Sequence, residues 1–473
     1  MKHLLYISIF LFSFFELYAQ DTLYRRVYGS TGNDYGISVT ETNYGFALSG
    51  NTDDGWLPSN DIFITAIDSN GNELWQKIIN LPNEDVCKKI IRTQDNGLLI
   101  CGFTNSKGFG GYDALLIKTD SVGDTLWTKT YGGWDWDIAN DVKEDASGNL
   151  YVVGETYSFS NNNDLFVVKS NSLGDTVWTK SYGTDSTEYA RGIAFTYDNH
   201  LLVAATVFNG KKQIMLYKIN QATGDTIWTN RTTSSADIIA NDVAVSPDST
   251  IFVCGEIDNG IQKDMFLARY DTAGNVLWTT VGGGSADEEA YSMVINKDLN
   301  PVICGYSTSF GQGKKDVQAY HFHKDGWFIF GPGSGGLENE WANQIITTKN
   351  NGYALIGSTN SFGFGAYDVY FIKTDSTLTL DNIVLGNPIV SLKNVQLSSE
   401  FKVFPNPTNG KLNFIADETI LAIKIKDLLG KEIFTITNQT SNLAVDLSHL
   451  KNGCYVFQIK TTNHFKVGTI IKI

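Results

Sequence analysis

Proline is scarce in this chain, with 8 residues among 473, whereas glycine numbers 45. Turns must therefore be built mainly from Gly, Asn and Asp. Histidine and cysteine are also few, at 6 and 5 residues, so sites that need clusters of either residue have little material. After the first residues, no apolar run is long enough to span a bilayer, which excludes a helical membrane protein.

Basic charge is lacking as well. The 36 Lys and Arg residues are outnumbered by 51 Asp and Glu, giving a net charge of −15 and an isoelectric point near 4.8. Because nucleic acids and anionic membranes are bound through basic surfaces, neither is an expected partner. Cations, neutral glycans and proteins remain open as ligands.

The N-terminus has the pattern of a secretory signal. Lys2 and His3 precede an apolar run from Leu4 to Phe15, and Ala19 is a small residue suited to cleavage. Residues 1–19 are therefore predicted to be a signal peptide. A buried first strand is the alternative, but the unbroken apolar run disfavours it.

Aromatic residues mark a repeat. A Gly-containing turn followed by a short alternating strand recurs at intervals of 52, 51, 50, 50 and 49 residues, at Trp75, Trp127, Trp178, Trp228, Trp278 and Trp327. One step earlier stands Tyr24, which makes seven marks. A period near 50 residues indicates the blades of a propeller or a solenoid.

Each repeat contains four short strands bounded by Gly, Asn and Asp, named a to d from the inside outwards, with the Trp on d. The first strand after the signal (22–28) is of type d, whereas the last repeat stops after a type c strand (369–373). The N-terminal strand should therefore complete the last blade and hide its edge. The sequence predicts an all-β chain with a seven-bladed β-propeller over residues 20–376.

The repeated pattern is Trp-x-Lys-x-Tyr-Gly-Gly, a small residue, Gly-x-Thr-x-Ser, and a terminal Asp-x-x-Gly-Asn/Asp. With it, residues 21–375 resemble the seven-bladed propeller repeat proteins of bacterial surfaces. The resemblance implies the fold and says almost nothing about activity. Within this repeat, Cys101, Cys254 and Cys304 share one position, and equivalent positions in different blades are too far apart for a disulfide. These thiols, and Cys87, are predicted to be small buried apolar residues.

Composition shifts at Phe401, after a polar linker over residues 377–400. Residues 401–473 can be drawn as seven short strands, which suggests a small β-sandwich. This segment resembles the C-terminal sorting domain of the type IX secretion system in its motif residues: Pro405, Asn406, Pro407, Gly410, Asp427, Gly430, Lys431, Gly453 and Tyr455. The resemblance implies outer-membrane translocation by the type IX machinery, then cleavage of the domain and release or surface attachment. An ordinary accessory sandwich is the alternative.

Acidic residues recur at two positions of the repeat. The first position is two residues before the small residue that opens strand a. Its acidic residues are predicted to form a ring around the mouth of the propeller channel: Asp34, Asp85, Asp137, Glu188, Glu288 and Glu340. The other opens strand c and should anchor the b–c loops: Asp61, Asp113, Asp164, Asp264, Asp316 and Asp368. The ring could hold Ca²⁺, or each carboxylate could accept backbone N–H bonds in its own turn. Regular repetition favours the structural role, and no other cofactor or metal is expected.

Three tryptophans break the repeat. Trp56 lies in the first b–c loop, and Trp134 and Trp136 lie in the third d–a loop. All three should fall on the face that carries the acidic ring. Flat aromatic surfaces beside carboxylates suit a sugar ring or a peptide. Local packing of enlarged loops is the alternative.

No catalytic set emerges from the spacing of Ser, His, Asp and Cys residues. His321 and His323 alternate on a strand without a third zinc ligand nearby, and both are predicted to face solvent. The sequence favours a secreted or cell-surface binding module for an extracellular glycan or protein. One alternative is a secreted polysaccharide hydrolase or lyase that uses two ring carboxylates as acid and base. Another is a scaffold for other surface proteins.

Overall fold

The computed structural model describes residues 23–379, apart from 31, 54–59, 80, 160–161 and 364. It also describes residues 401–473, apart from 427–431 and 462–464. The regular structure of these residues is β-strand, arranged in repeated antiparallel sheets of the kind found in propellers. The all-β fold class is thereby confirmed. The predicted signal peptide and most of the predicted linker lie outside the described residues.

The first three sheets each contain four strands that pair in sequence order. Their bounds are β2 (Asn33–Glu41), β3 (Gly45–Asp53), β4 (Asp61–Asp68) and β5 (Glu73–Ile79); β6 (Asp85–Arg92), β7 (Leu98–Thr104), β8 (Asp113–Thr119) and β9 (Thr125–Tyr131); β10 (Asp137–Glu144), β11 (Leu150–Thr156), β12 (Asp164–Ser170) and β13 (Thr176–Tyr182). In each sheet the four strands correspond to a, b, c and d.

The next three sheets follow the same order, although the outer strand of the sixth is split in two. Their bounds are β14 (Thr187–Phe195), β15 (His200–Phe208), β16 (Lys212–Asn220) and β17 (Thr226–Thr232); β18 (Asp237–Val245), β19 (Ile251–Asp258), β20 (Lys263–Tyr270) and β21 (Val276–Gly282); β22 (Glu288–Ile295), β23 (Pro301–Ser307), β24 (Asp316–Phe322), β25 (Phe328–Phe330) and β26 (Gly333–Ser334).

The seventh sheet takes its outer strand from the start of the chain. It contains β27 (Glu340–Thr347), β28 (Tyr353–Thr359), β29 (Asp368–Thr374) and β1 (Tyr24–Tyr28). Tyr24 is paired with Lys373, and Tyr28 with Val369. The same sheet packs against the first one, because Ile356 and Phe371 share a buried apolar cluster with Phe46.

Strands b and c are buried on both faces. On β11, Leu150 and Val152 pack towards the second sheet, whereas Tyr151 and Val153 pack towards the fourth. This two-sided burial explains why these strands read as near-continuous apolar runs instead of alternating ones. Removing one such side chain from water stabilises the fold by about 2 kcal/mol.

Strand a carries a β-bulge in all seven sheets, directly after its small residue, as at Ala139. A bulge leaves a backbone N–H without a ladder partner. Three residues after the small residue, a side chain of the neighbouring sheet accepts a backbone N–H: Asp141 Oδ2 accepts that of Ile193 at 3.2 Å, and Gln344 Oε1 accepts that of Val39 at 2.7 Å. These hydrogen bonds link the inner strands of neighbouring sheets.

The repeated Gly-Asp-x-x-Trp-x-Lys-x-Tyr pattern links the outer edges. Gly174 has φ +78°, and a Cβ there would lie 3.0 Å from the Trp127 ring of the preceding sheet. Lys129 Nζ lies 2.9 Å from Asp175, and Tyr131 donates its hydroxyl to Gly174 O at 2.8 Å. Glycine is required because its φ is left-handed and the indole occupies the space of a side chain.

The C-terminal segment forms one antiparallel sheet, with β30 (Phe401–Phe404), β31 (Lys411–Lys426), β32 (Glu432–Asp446), β33 (Gly453–Thr461) and β34 (Phe465–Lys472). The prediction of seven short strands is wrong, since five strands are described here. Two of them are long, and the pairing of β31 with β32 shifts register between Ile415 and Ile420. The polar residues Asp417, Glu418 and Thr419 lie in this irregularity.

Cys87, Cys101, Cys254 and Cys304 are buried free thiols, as predicted. Cys454 lies on β33, and its side chain is outside the described part of the structure. No helix of the described residues is long and apolar enough to cross a bilayer.

Candidate functional site

The acidic residues at the start of strand a bind their own d–a loops. Asp137 Oδ2 accepts the N–H of Gly133 at 2.8 Å, and Glu340 Oε2 accepts that of Gly336 at 2.6 Å. Loop N–H groups also contact Asp34, Glu188 and Glu288, and Ser106 donates to Asp85. All six residues are at most 4% exposed. A ligand bound by these carboxylates would have to replace loop donors, so a ligand-binding role remains a prediction.

The two acidic series meet across the d–a glycines, which the sequence did not reveal. A Cβ on Gly283 would lie 1.9 Å from Asp264 and 2.7 Å from Glu288. Glycine-centred pairs of the same kind are Asp34 with Asp368 and Glu340 with Asp316. Burial, reinforced by the charge of Asp137, raises the pKa of Asp113 to about 6. Asp113 is therefore easier to protonate than an ordinary carboxyl.

Trp134 and Trp136 are exposed and lie beside aromatic residues of the second b–c loop. Trp134 is 84% exposed, with its ring 6.2 Å from Phe109, and Trp136 is 50% exposed, with its ring 5.2 Å from Tyr112. These four residues are here called the aromatic patch. Trp56 lies outside the described residues, so the structure does not place it relative to the patch.

Two glycines bring the loops of the aromatic patch together. A Cβ on Gly110, where φ is +104°, would lie 2.2 Å from Trp134 O, and one on Gly111 would lie 2.3 Å from the Trp136 ring. Tyr112 donates its hydroxyl to Glu84 at 2.5 Å, which holds the edge of the patch. The patch is therefore built from close loop packing, while its tryptophans still present large surfaces to solvent.

A cluster of charged side chains that the sequence did not single out lies between the fifth and sixth sheets. It includes residues from strands b and c of the fifth sheet and from the start of strand a of the sixth. Lys263 Nζ lies 3.1 Å from Glu256 and 2.7 Å from Glu289, and Tyr291 donates its hydroxyl to Glu289 at 2.8 Å. Burial and the charge of Glu289 raise the pKa of Glu256. Burial opposes ionisation of Glu289 too, but hydrogen bonds from Lys263 and Tyr291 lower its pKa. Glu256 and Glu289 are thus inequivalent carboxyls. Because their repeat equivalents are not acidic pairs, a comparison of these positions between blades could have found them.

The histidine pair faces the sixth outer strand. His321 is 8% exposed, with its ring 5.0 Å from Phe330, so the prediction that it faces solvent is wrong. Burial lowers its pKa. His323 stacks on Trp327 at 3.7 Å. Among the described residues, no group of three or more His, Cys, Asp and Glu is arranged to hold a metal ion.

Motif residues of the C-terminal segment form hydrogen bonds within it, and Asn406 joins its two ends. Asn406 Oδ1 accepts the N–H of Ile471 at 2.8 Å, and Gly410 O accepts that of Leu447. Tyr455 donates its hydroxyl to Lys451 O at 2.7 Å. Asp427, Gly430 and Lys431 lie outside the described residues. Residues 402–473 match the family described as the secretion system C-terminal sorting domain.

The C-terminal segment is a sorting domain. It indicates export through the type IX secretion system to the cell surface or the extracellular space. Only the sorting domain is covered by this family match, so the preceding sheets are compared through their structure alone. No curated protein sequence is significantly similar to the chain.

Solved structures resemble the chain in fold. A polysaccharide lyase described as a PL25 ulvan lyase, solved with a bound saccharide, is 11% identical, with a TM-score of 0.51 over 74% of this chain and 96% of that one. PorZ, a surface component of the type IX secretion system of Porphyromonas gingivalis, is 10% identical, with a TM-score of 0.39 over 93% and 70%. A protein of unknown function from Dyadobacter fermentans is 10% identical, with a TM-score of 0.46 over 74% and 98%. At these identities the likeness to the lyase concerns the propeller-like fold alone.

Proposed function

We propose that this chain is a secreted or cell-surface interaction module that binds an extracellular glycan or protein. Residues 1–19 act as a signal peptide, and residues 20–376 form a closed seven-bladed β-propeller. Residues 377–400 are a linker to the sorting domain, residues 401–473, which is recognised by the type IX machinery. The pairing of β1 with β29 and the packing of the seventh sheet on the first support the closed ring.

The exposure of Trp134 carries the binding proposal. A soluble protein that leaves 84% of a tryptophan in water forgoes the burial that stabilises this residue elsewhere in the chain. Trp136 and Phe109, at 50% and 71% exposed, extend the apolar surface. Rigid aromatic rings bury large contact areas at low entropic cost. Trp56 and the acidic series at the start of strand a are proposed to border the same binding face.

Glycan arrays and pull-downs from extracellular material test this proposal with the full mature chain. Changing both Trp134→Ala and Trp136→Ala should lower retention of the bound glycan or protein at least tenfold. Trp327→Ala is the matched control. Trp327 is also exposed, at 56%, but it lies on a c–d hairpin and not on the d–a and b–c loops of the proposed binding face. Equal retention by the wild type and the double variant would show that the patch is not the binding surface.

A secreted polysaccharide hydrolase or lyase is the second candidate, favoured by one observation. Glu256 has a raised pKa while that of its neighbour Glu289 is lowered, and such divergent pairs supply an acid and a base in many enzymes. Turnover on a panel of polysaccharides, lost in Glu256→Gln and Glu289→Gln, would favour this candidate. Asp137→Asn tests the ring carboxylates in the same assay. A panel without turnover would leave binding as the function.

A further inference from the structure

The outer strand of the sixth sheet is interrupted at Gly331 and Pro332. β25 pairs with β24 at His321, and β26 pairs with β24 at Gln318, so the strand is present on both sides of the break. Proline lacks the backbone N–H that a continuous strand would donate. Beside the interruption lies a cavity of about 850 Å³, a size typical of small-molecule and oligosaccharide sites.

Aromatic rings form the walls of this cavity. Phe310 from the b–c loop is 48% exposed and Phe328 from β25 is 53% exposed, while Tyr320 lies deeper at 5%. The rings of Tyr320 and Phe328 are perpendicular, with centroids 5.4 Å apart. Much of the remaining lining is glycine, which leaves backbone N–H and C=O groups accessible. Apolar ring faces beside accessible polar backbone suit a saccharide, whose rings are apolar on their faces and polar at their edges.

Arg25 is the cation among the described lining residues. It lies on the outer strand of the seventh sheet, and its Nη1 donates to Ser334 Oγ at 2.8 Å. Its Nε is buried without a hydrogen-bond partner. None of the ion pairs between described residues includes Arg25. A guanidinium without a carboxylate partner, in a chain of net charge −15, favours an anion on the ligand.

Asp316 also lines the cavity, and Glu340 lies beside it at Gly335. Asp316 is 2% exposed, and its Oδ2 accepts the N–H of Gly313 at 2.9 Å. Its carboxylate is therefore held by its own b–c loop. Of the two charged lining residues, Arg25 is the more exposed.

We propose that this cavity binds an anionic saccharide unit, with its carboxylate or sulfate on Arg25 and its ring against Phe310 and Phe328. The site is independent of the proposed function at Trp134 and Trp136, since no residue of the aromatic patch lines it. The cavity joins residues that are far apart in the sequence, because Arg25 belongs to β1 and Phe328 to the sixth sheet.

Isothermal titration calorimetry on the full mature chain tests the site with defined oligosaccharides. An oligogalacturonate supplies the carboxylate, a carrageenan oligosaccharide supplies the sulfate, and a methyl-esterified oligogalacturonate is the neutral control. At least one anionic probe should bind, at least tenfold more tightly than the ester. Arg25→Gln should weaken that binding at least tenfold, and Arg25→Lys less.

Arg26→Gln is the matched control. Arg26 is the next residue on β1, so its side chain points to the opposite sheet face, and it does not line the cavity. The Arg26→Gln protein should bind the anionic probe with the same affinity as the wild type. Phe328→Ala provides a second variant if Arg25→Gln fails to fold, and it should also weaken binding. The proposal is overturned if neither anionic probe binds, if Arg25→Gln binds as the wild type does, or if only a peptide C-terminal carboxylate binds.

Discussion

The third and the sixth sheets share the four-strand repeat but differ at their outer edges. In the third sheet β13 is continuous, and Trp178 is half-buried against Gly224 of the following c–d hairpin. In the sixth sheet the outer strand is split, and Trp327 is 56% exposed, with His323 stacked on its ring.

This difference follows from the strand that completes the seventh sheet. The five repeated tryptophans before Trp327 pack against the hairpin glycine of the next sheet, as Trp278 does against Gly326. The seventh sheet has no c–d hairpin, because its outer strand β1 comes from the opposite end of the chain. Trp327 therefore has no hairpin glycine to pack against. The outer edge of the sixth sheet thus departs from the repeat, and the cavity lies farther along this edge, beside the interruption at Gly331.

Replacing the repeated tryptophan should give the largest difference in stability loss between the third and the sixth sheets. Trp178→Ala should lower the free energy of unfolding by about 3 kcal/mol, because it removes half-buried indole contacts with the next sheet. Trp327→Ala should cost less than about 1 kcal/mol. Denaturant unfolding followed by circular dichroism measures both values. Equal losses would contradict the difference in packing.

The side-chain hydrogen bonds of strand a should matter more in the third sheet than in the sixth. Asp141 accepts the N–H groups of Val142 and Ile193, so Asp141→Ala leaves two buried donors unpaired and should cost about 2 kcal/mol. The equivalent Ser292 donates one hydrogen bond to Asp242 at 2.9 Å, and Ser292→Ala should cost about 1 kcal/mol. The same unfolding measurement applies, and a larger loss for Ser292→Ala would refute the assignment.

The contribution of Asp113 to stability should fall as pH rises from about 4 to 7 through the pKa of this group. The folded chain raises that pKa to about 6, above the ordinary value near 3.9, so the folded state binds more protons in this range. Asp113→Asn should therefore raise stability at pH 7.5 by on the order of 1 kcal/mol, after allowance for solvent screening, and change little at pH 4. Thermal melts at both pH values measure this.

Asp316→Asn in the sixth sheet should act in the same direction, because burial raises the pKa of Asp316 as well. Its effect should be smaller, since the residue borders a cavity. An Asp113→Asn protein that is destabilised equally at both pH values would show that hydrogen bonding, and not charge burial, dominates at this site.

Changing the ion pair at the outer edge should give the smallest difference in stability between the two sheets. Lys129 and Asp175 are exposed, so Lys129→Met should lower stability only slightly, and less at high salt. Ile329 occupies the equivalent place in the sixth sheet, and Ile329→Lys should have no measurable effect because no hairpin aspartate follows. A gain in stability for Ile329→Lys would indicate an acidic partner in the seventh sheet.

Much of the architecture could be predicted because the repeat carries it. Tyr24 was predicted to stand in for the repeated Trp, and it lies against Gly71 as the tryptophans lie against their glycines. The exposure of Trp134 and Trp136 fits their departure from the repeat. The prediction for His321 is wrong because Phe330 packs against its ring. Phe330 belongs to the split outer strand, and the sequence pattern does not indicate that split. The strands of the sorting domain were miscounted because long bent strands read as pairs of short ones.

The sequence alone determined the period, the all-β class, the buried small residues of strand a and the sorting domain, since each follows from local spacing and residue type. Only the tertiary structure decided which distant residues meet. The two acidic series pair across glycines, Glu256 is set beside Glu289, and Arg25 faces the break at Gly331. The reason is physical: these contacts join residues from different repeats or from opposite ends of the chain, and their geometry depends on how neighbouring sheets pack.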